Sequence, residues 1–497
     1  MSPQMWNYVI HIVRRLSKVN AKITVCDLPP LSGSSFYFNW MSLFRKMITP
    51  AIRRYLKVGS VFQENNVTVQ SRSRYSMKAE QESLYLDVLR MENPFDLEYW
   101  DAYNGVMGKS VFSNLVTSLE MSMFTNSKKW KRKCRNQIKD FLHTVQIIEN
   151  LLIHGNEIVC LFVPNSRFPT QAAAGLVASQ RDVLEISYES GGNSEELVHV
   201  DEWPPINRIR QQQDFESKIN ELSRSQSVND TKTGKNKDKV LEIIDPTKKK
   251  YNFSNNLSGN RLAVYFYGSD DEYVGLGDSW PVHRWRNQFE ALEEVIPYLI
   301  SNRFDVVLRH HPNSMNKPWR EMRRIHELGR FDNTWIIPSY ERVQSKDLID
   351  LADVVITWGS TVGIESVLAG KPLWLLSHTY YDRAIDVRKW PVNSHPNPSE
   401  LIYHPERNSA DLFSSYLKSF GEELEISLEE RKRCKAATRT LALFNQFIII
   451  CGIPVAVSQN PQLFFKITEI LFGGKIATRL MHRLTYNGET LKTSNYP

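Results

Sequence analysis

Cysteine is scarce in this chain of 497 residues. The five cysteines are scattered, and no two of them have the C-x-x-C spacing: Cys26, Cys134, Cys160, Cys434 and Cys451. An odd, scattered set argues against a disulfide framework and against a zinc site, and it is typical of a reducing compartment. We therefore expect buried thiols and a reducing, cytoplasmic location.

Long apolar runs and dense basic stripes are lacking as well. The longest apolar run, Phe447 to Val457, contains Gly452 and Pro454 and is shorter than the about 20 residues that a membrane-spanning helix needs. Charged residues interrupt the stretch from Met5 to Leu16, so we expect no signal peptide. Because no basic stripe is interleaved with aromatic residues, nucleic acid is not an expected partner. The net charge of +7 allows an anionic ligand or an anionic membrane surface.

The stretch from Asp353 to Leu376 predicts a strand, a turn, a helix and a second strand. Val354 to Thr357 is apolar and β-branched, as buried parallel strands are. Trp358 to Thr361 then forms a turn, in which Ser360 or Thr361 can cap the following helix. The N–H groups at a helix start attract phosphate, and ligands of open α/β sheets lie at the carboxyl ends of strands. The turn is therefore either a phosphate site or only a tight turn that needs small residues.

A second strand end favours the phosphate interpretation. Phe304 to Leu308 is mostly apolar and runs directly into Arg309, His310, His311 and Pro312. Arginine offers phosphate a two-pronged hydrogen-bond donor, and histidine can donate to a phosphate oxygen or transfer a proton. A charged strand end beside a helix start suits a nucleoside diphosphate.

Polar residues follow two predicted strands of the N-terminal half in the same way. These strands cover residues 157–163 and 183–188, with an alanine-rich helix between them. Asn165 and Arg167 follow the first strand, and Glu189 follows the second. The three side chains either face a ligand cleft or serve only turn formation and surface ion pairs.

The second half of the chain alternates strands and helices at the spacing of a doubly wound parallel sheet. We predict an N-terminal α/β domain at 1–210, a flexible polar linker or insertion at 211–258, a nucleotide-binding α/β domain at 259–405 and a helical region at 406–497. The basic stretch KKWKRKCR, Lys128 to Arg135, is either a solvated helix face or a surface for an acidic acceptor or a membrane.

Four motifs occur in order along the chain. They are Asn165-x-Arg167 followed by Glu189-x-Gly191, then Asp271-Glu272, then Arg309-His310-His311-Pro312, and last Gly359-Ser360-Thr361-Val362-Gly363-Ile364-Glu365 followed by Gly370-Lys371-Pro372. Together they resemble the capsule and surface polysaccharide biosynthesis glycosyltransferases, whose fold is called GT-B, and the related polyol-phosphate transferases. The resemblance covers roughly Glu157 to Ser377. It is more specific for the fold than for the substrate.

The resemblance implies an α/β fold of two Rossmann-like domains that face a cleft, with C-terminal helices packing back across them. It implies a metal-independent glycosyltransferase that takes a sugar from a nucleotide-sugar donor, with no separate cofactor. The acceptor would be a growing surface or capsular polysaccharide or a glycolipid. A location in the cytoplasm, with peripheral contact at the inner membrane face, would follow.

The resemblance also implies a role for each motif residue. The donor site would comprise Arg309, His311, Gly359, Ser360, Thr361 and Glu365. In it, cationic side chains and the helix start would neutralise the departing phosphate, and the Glu365 carboxylate would accept hydrogen bonds from the ribose. The candidates for proton transfer are Glu189, Asp271, Glu272 and His311.

Three other functions fit the same motifs. A transferase of polyol phosphate from a CDP-linked donor would use the same Arg-x-His-Pro strand end. A non-catalytic subunit that binds nucleotide sugar or glycan would keep the phosphate site and lack a working base. A nucleotide-sugar epimerase would share the fold.

Overall fold

The computed structural model describes residues 3–19, 21, 23–26, 61, 63–65, 68–70, 76–119, 128–154, 158, 160–165, 167–192, 196–202, 207–226, 242–243, 251–252, 260–268, 284–285, 287–311, 327–337, 343–433 and 436. The chain forms two compact units. The first comprises Met1–Arg210, Val274–Ser279 and Leu417–Asn445, and the second comprises Gln211–Tyr273, Trp280–Tyr416 and Gln446–Pro497.

The helices and strands are numbered here along the chain. The helices are α1 (Pro3–Lys18), α2 (Lys78–Arg90), α3 (Val106–Leu119), α4 (Lys128–His154), α5 (Pro169–Gln180), α6 (Arg208–Gln226), α7 (Gln288–Ser301), α8 (Ser345–Leu351), α9 (Val362–Leu368) and α10 (Arg407–Ser419). The strands are β1 (Thr24–Cys26), β2 (Thr68–Gln70), β3 (Cys160–Pro164), β4 (Leu184–Ser190), β5 (Leu197–Asp201), β6 (Glu242–Ile243), β7 (Tyr251–Asn252), β8 (Arg261–Phe266), β9 (Phe304–Arg309), β10 (Thr334–Ile337), β11 (Val354–Thr357), β12 (Leu373–Leu375), β13 (Arg388–Lys389) and β14 (Glu422–Glu423).

The second unit is built on a six-stranded sheet in the order β10-β9-β8-β11-β12-β13. Each pair of neighbours in it is parallel. All residues of β9, β10, β11 and β12 are buried, as expected for strands that are covered on both faces. Numbered from β8, the order is 3-2-1-4-5-6, which is that of the Rossmann fold. The prediction of a doubly wound parallel sheet is confirmed.

Helix α7 lies between β8 and β9 in the chain. Its sequence explains both where the helix begins and which side packs against the sheet. The Asn287 side chain caps it by accepting the N–H groups of Phe289 and Glu290, both at 3.0 Å. Its apolar side chains are buried in one cluster with residues of β8 and β9. The helix continues through Pro297.

The first unit contains a smaller sheet in the order β14-β5-β4-β3. Strands β3 and β4 are parallel and flank α5 in the chain, which confirms the predicted βαβ unit. Strands β5 and β14 extend this sheet in antiparallel directions. Helices α3, α4 and α5 bury a common apolar core that includes Phe112 and Phe141. The chain is therefore a mixed α/β protein in both units.

The polar segment predicted at 211–258 as a flexible linker or insertion contains described elements at its start and middle. Helix α6 runs through residue 226, and β6 and β7 form an antiparallel pair. Phe215 anchors the helix, because its ring packs edge-on against Phe413 and Tyr416 at 4.9 and 5.4 Å. The Asp214 carboxylate also accepts a hydrogen bond from the Tyr416 hydroxyl at 2.8 Å. One buried aromatic side chain in a polar sequence gives no repeat of apolar residues at helical spacing. The composition of this segment therefore did not predict the helix.

Several predictions fall on residues that the structure does not describe. They include the candidate carboxylates Asp271 and Glu272 and the part of the predicted helical region at 406–497 that lies beyond residue 436. Within the described ranges, no helix is both long and apolar enough to cross a membrane.

Candidate functional site

The strands of the second unit end level with one another at their carboxyl ends. Phe266 of β8 pairs with Arg309 of β9 on one side and with Thr357 of β11 on the other. Arg309 is in turn level with Ile337 of β10, and Thr357 with Leu375 of β12. Because β9 and β11 flank the first strand, the chain changes direction across the sheet between β8 and β11. Ligands of open α/β sheets bind at such a switch point.

The loops that leave β8 and β11 touch at this switch point. A Cβ atom added at Gly268 would lie 3.6 Å from Trp358 Cβ, 3.7 Å from Gly359 N and 3.8 Å from Ser360 N. These are ordinary van der Waals distances, so the loop after β8 lies directly against the predicted phosphate turn. The structure thus brings Gly359 and Ser360 to the strand end that neighbours Arg309.

The turn after β11 is held by side chains as well as by small residues. Thr357 Oγ1 donates to Phe266 O at 2.9 Å and accepts the N–H groups of Gly359 and Ser360 at 3.3 and 3.0 Å. Ser360 Oγ accepts the N–H of Val362 at 3.4 Å, whereas the Thr361 side chain makes no capping bond. Ser360 is therefore the capping residue of the two that were predicted. Several N–H groups of the turn are engaged within it.

Tyr381 also holds the turn after β11, and the sequence analysis did not include this residue among the site candidates. Its fully buried hydroxyl donates to Ser360 O at 2.7 Å. Burial raises the pKa of this hydroxyl well above its ordinary value, so the group stays a donor. A Cβ atom at Gly363 would lie 2.3 Å from Tyr381 Oη, so glycine is what allows α9 to approach this ring. The sequence signal that could have indicated this contact is the motif glycine Gly363, which lies two residues beyond the turn.

Arg309 occupies the end of β9, where it was predicted. Its side chain is 6% exposed, and Nη2 donates to Val343 O at 3.2 Å. His310 is fully buried, and its ring lies 5.0 Å from that of Tyr267. His311, the predicted phosphate donor, is half-buried at the strand exit. The edge therefore carries a buried cation next to the switch point.

Glu365 lies one turn into α9 and is exposed. Partial burial of its carboxyl group raises the pKa of Glu365 above the ordinary value of a glutamate. Its predicted role toward a ribose stays a prediction.

The remaining predicted residues lie elsewhere. Glu189 lies on β4 of the first unit, where its carboxylate accepts a hydrogen bond from Asn165 Nδ2 at 3.1 Å. Asn165 has a φ of 43°, a left-handed conformation that asparagine tolerates, and Arg167 stacks on the Phe168 ring at 4.6 Å. Asp271 and Glu272 lie outside the described residues.

No protein-family model matches this chain, and no curated protein matches it. Among solved structures, KpsC of Thermosulfurimonas dismutans, a beta Kdo 2,7 transferase, shares 16% identity over 52% of this chain and 78% of its own, with a TM-score of 0.30. The UDP-GlcNAc 2-epimerase of Neisseria meningitidis shares 11% over 79% and 97%, with a TM-score of 0.22. The glycosyltransferase SnogD of Streptomyces nogalater shares 11% over 77% and 88%, with a TM-score of 0.21.

Proposed function

We propose that this protein is a glycosyltransferase that moves a sugar from a nucleotide-sugar donor to a surface polysaccharide or glycolipid acceptor. The observation that carries the proposal is the switch point between β8 and β11, where Gly268 lies against the turn at Gly359 and Ser360 and Arg309 ends the next strand. The motif resemblance supports the same assignment. Proteins with the Rossmann strand order have many different functions. The buried Arg309 guanidinium at this edge is what favours a phosphorylated ligand over other ligand classes.

The chemistry follows from where charge develops. As the bond between the sugar and the phosphate oxygen breaks, negative charge grows on the leaving nucleotide. A fixed guanidinium in a buried setting stabilises that charge more than water does, since it needs no reorganisation during the reaction. Arg309 is 6% exposed and is the side chain we assign to this task, with His311 beside it. Glu365 would accept hydrogen bonds from the ribose hydroxyls. We propose that the transfer needs no bound metal.

A thermal-shift screen tests this proposal with CMP, CDP, UDP, GDP and TDP, each with and without EDTA. A ligand that binds only the folded protein raises the melting temperature by mass action. We expect one nucleotide to stabilise the protein equally in both conditions. Absence of a shift with all five would refute a nucleotide site, and a shift that EDTA abolishes would refute metal independence. A panel of sugar and CDP-polyol donors then separates glycosyl transfer from polyol-phosphate transfer.

We also propose that the first unit contacts an anionic membrane surface. Leu86 and Leu89 are 54 and 44% exposed on α2, three residues apart and thus on one face. Lys131 Nζ donates to Leu89 O at 2.7 Å, which brings the basic start of α4 to this end of α2, and the neighbouring Arg132 is exposed. Exposed leucines beside basic side chains suit anionic lipid. The scattered cysteines support a cytoplasmic location.

A further inference from the structure

Three neighbouring elements hold the chain where it leaves β8. From β11, Thr357 Oγ1 donates to Phe266 O at 2.9 Å. From β9, Arg309 O accepts the N–H of Tyr267 at 3.1 Å. The third contact comes from the first residue of α7 and holds the carbonyl group of residue 268, in the loop that lies against the turn after β11.

This third contact is made by Gln288, which is 2% exposed and is hydrogen-bonded at both ends of its side-chain amide. Its Nε2 donates to Gly268 O at 3.1 Å, and its Oε1 accepts from the Tyr265 hydroxyl at 3.1 Å. A backbone carbonyl oxygen only accepts, so the amide nitrogen of Gln288 faces Gly268 and the amide oxygen faces the tyrosine. The two partners therefore fix the orientation of this amide.

Gly268 is the residue through which the loop reaches the proposed donor site. A Cβ atom built on it would lie 3.7 Å from Gly359 N and 3.8 Å from Ser360 N. The hydrogen bond from Gln288 thus holds the carbonyl group of the same residue that packs against the turn. All of these residues belong to the second unit.

A side-chain amide suits this position because it is a donor at one end and an acceptor at the other. A carboxylate of the same shape would still accept from Tyr265, but its second oxygen would face Gly268 O and repel it. An apolar side chain of similar length would leave Gly268 O without this donor. A buried carbonyl group that loses its donor is unfavourable, so the loop would shift toward another partner.

We propose that Gln288 is a positioning residue of the donor site, whose amide holds the loop after β8 in the conformation that binds the nucleotide; this inference rests on the proposed function. Gln288 acts through Gly268 and is assigned no contact with the nucleotide or the sugar. The apparent affinity of a ligand falls in proportion to the fraction of protein molecules in the binding conformation. A variant that keeps the loop in place in about one molecule in ten would therefore bind about 10-fold more weakly.

Calorimetry with the nucleotide that the thermal-shift screen selects tests this role. Gln288→Met removes the donor to Gly268 O and should raise the Kd about 10-fold. Tyr265→Phe is the matched control, because it removes the other hydrogen bond of the same amide and leaves the bond to Gly268 O. Both variants break a buried hydrogen bond, so both should lower the melting temperature. Only Gln288→Met should weaken nucleotide binding.

Gln288→Glu adds a readout that a general loss of stability would not give. The introduced carboxyl group can donate to Gly268 O when it is protonated and cannot when it is ionised. Burial raises the pKa of a carboxyl group, so ionisation should occur at higher pH than in an exposed glutamate. The ratio of this variant's Kd to that of the unaltered protein should approach one in acid and rise toward about 10 with increasing pH. Taking the ratio at each pH cancels the titration of Glu365 and of the nucleotide.

The outcomes separate this inference from the proposed function. If a nucleotide stabilises the unaltered protein but binds Gln288→Met with the same Kd, the positioning role is wrong and the donor site stands. Equal losses of affinity in Gln288→Met and Tyr265→Phe would also overturn it, because they would reflect a general loosening of the core. A Kd ratio for Gln288→Glu that does not change with pH would contradict the role as well. If the unaltered protein binds none of the five nucleotides, both proposals fail. Should one Gln288 variant not fold, the other decides.

Discussion

Substitution of Gly363 by alanine probes the contact on which the turn after β11 depends. The added Cβ would lie 2.3 Å from Tyr381 Oη and 2.9 Å from Leu373 Cδ2, and Tyr381 is fully buried, so neither ring nor helix can yield without moving its neighbours. Overpacking of this kind costs about 1–3 kcal/mol. Loss of the hydrogen bond from Tyr381 to Ser360 O adds about 1 kcal/mol, and the higher helix propensity of alanine returns about 1 kcal/mol. We expect a net loss of about 1–3 kcal/mol in the free energy of unfolding.

Urea unfolding measures this loss, and two further variants make the assay specific. Tyr381→Phe removes the clashing oxygen, so the double variant with Gly363→Ala should recover part of the loss. Gly175→Ala is the matched control, because its Cβ would also meet an atom at 2.3 Å, the Oε2 of Glu185 at the end of a flexible side chain. That variant should lie within about 1 kcal/mol of the unaltered protein. Equal losses at Gly175 and Gly363, or no recovery in the double variant, would refute the argument.

Three further predictions concern binding. Arg309→Gln should raise the Kd for the stabilising nucleotide about 10- to 100-fold by calorimetry, as loss of a charge-assisted hydrogen bond does, and an unchanged Kd would remove Arg309 from the site. Glu365 should accept hydrogen bonds only as a carboxylate, so nucleotide affinity should fall on acidification from a higher pH than an ordinary glutamate would give, because its pKa is raised. Glu365→Gln should abolish that dependence, and an identical pH profile would contradict the role. Cosedimentation with phosphatidylserine vesicles should fall in the double variant Leu86→Ser/Leu89→Ser and, separately, in Arg132→Glu. Phosphatidylcholine vesicles should bind none of these proteins, including the unaltered one. Equal binding to both lipids would count against the proposed membrane surface.

The scaffold of the second unit was predictable because its strands are strong local signals. Phe304 to Leu308 is mostly apolar and Val354–Thr357 is apolar and β-branched, and buried parallel strands have this composition. Once both are placed in one sheet, their carboxyl ends must meet at the same edge. The position of Arg309 on the same sheet edge as the turn therefore followed from local patterns together with a general rule of sheet topology.

The side-chain network of the site was not predictable, for a physical reason. Thr357 ends an apolar strand, and its β-branched side chain suggests only a packing role there. Its hydroxyl nevertheless holds the turn through three hydrogen bonds. Contacts that depend on register between distant segments have no local periodicity to reveal them.

The internal hydrogen bonds of the turn affect how the proposed donor site would work. The N–H groups of Gly359 and Ser360 donate to Thr357 Oγ1, so the turn brings little unspent positive charge to a phosphate group. In the proposed donor site, neutralisation of the leaving group would then depend on side-chain charge, and Arg309 is the buried cation that the sheet places next to the switch point. Hydrogen bonds from Thr357 and Tyr381 hold the turn, so it would give the proposed ligand a rigid support.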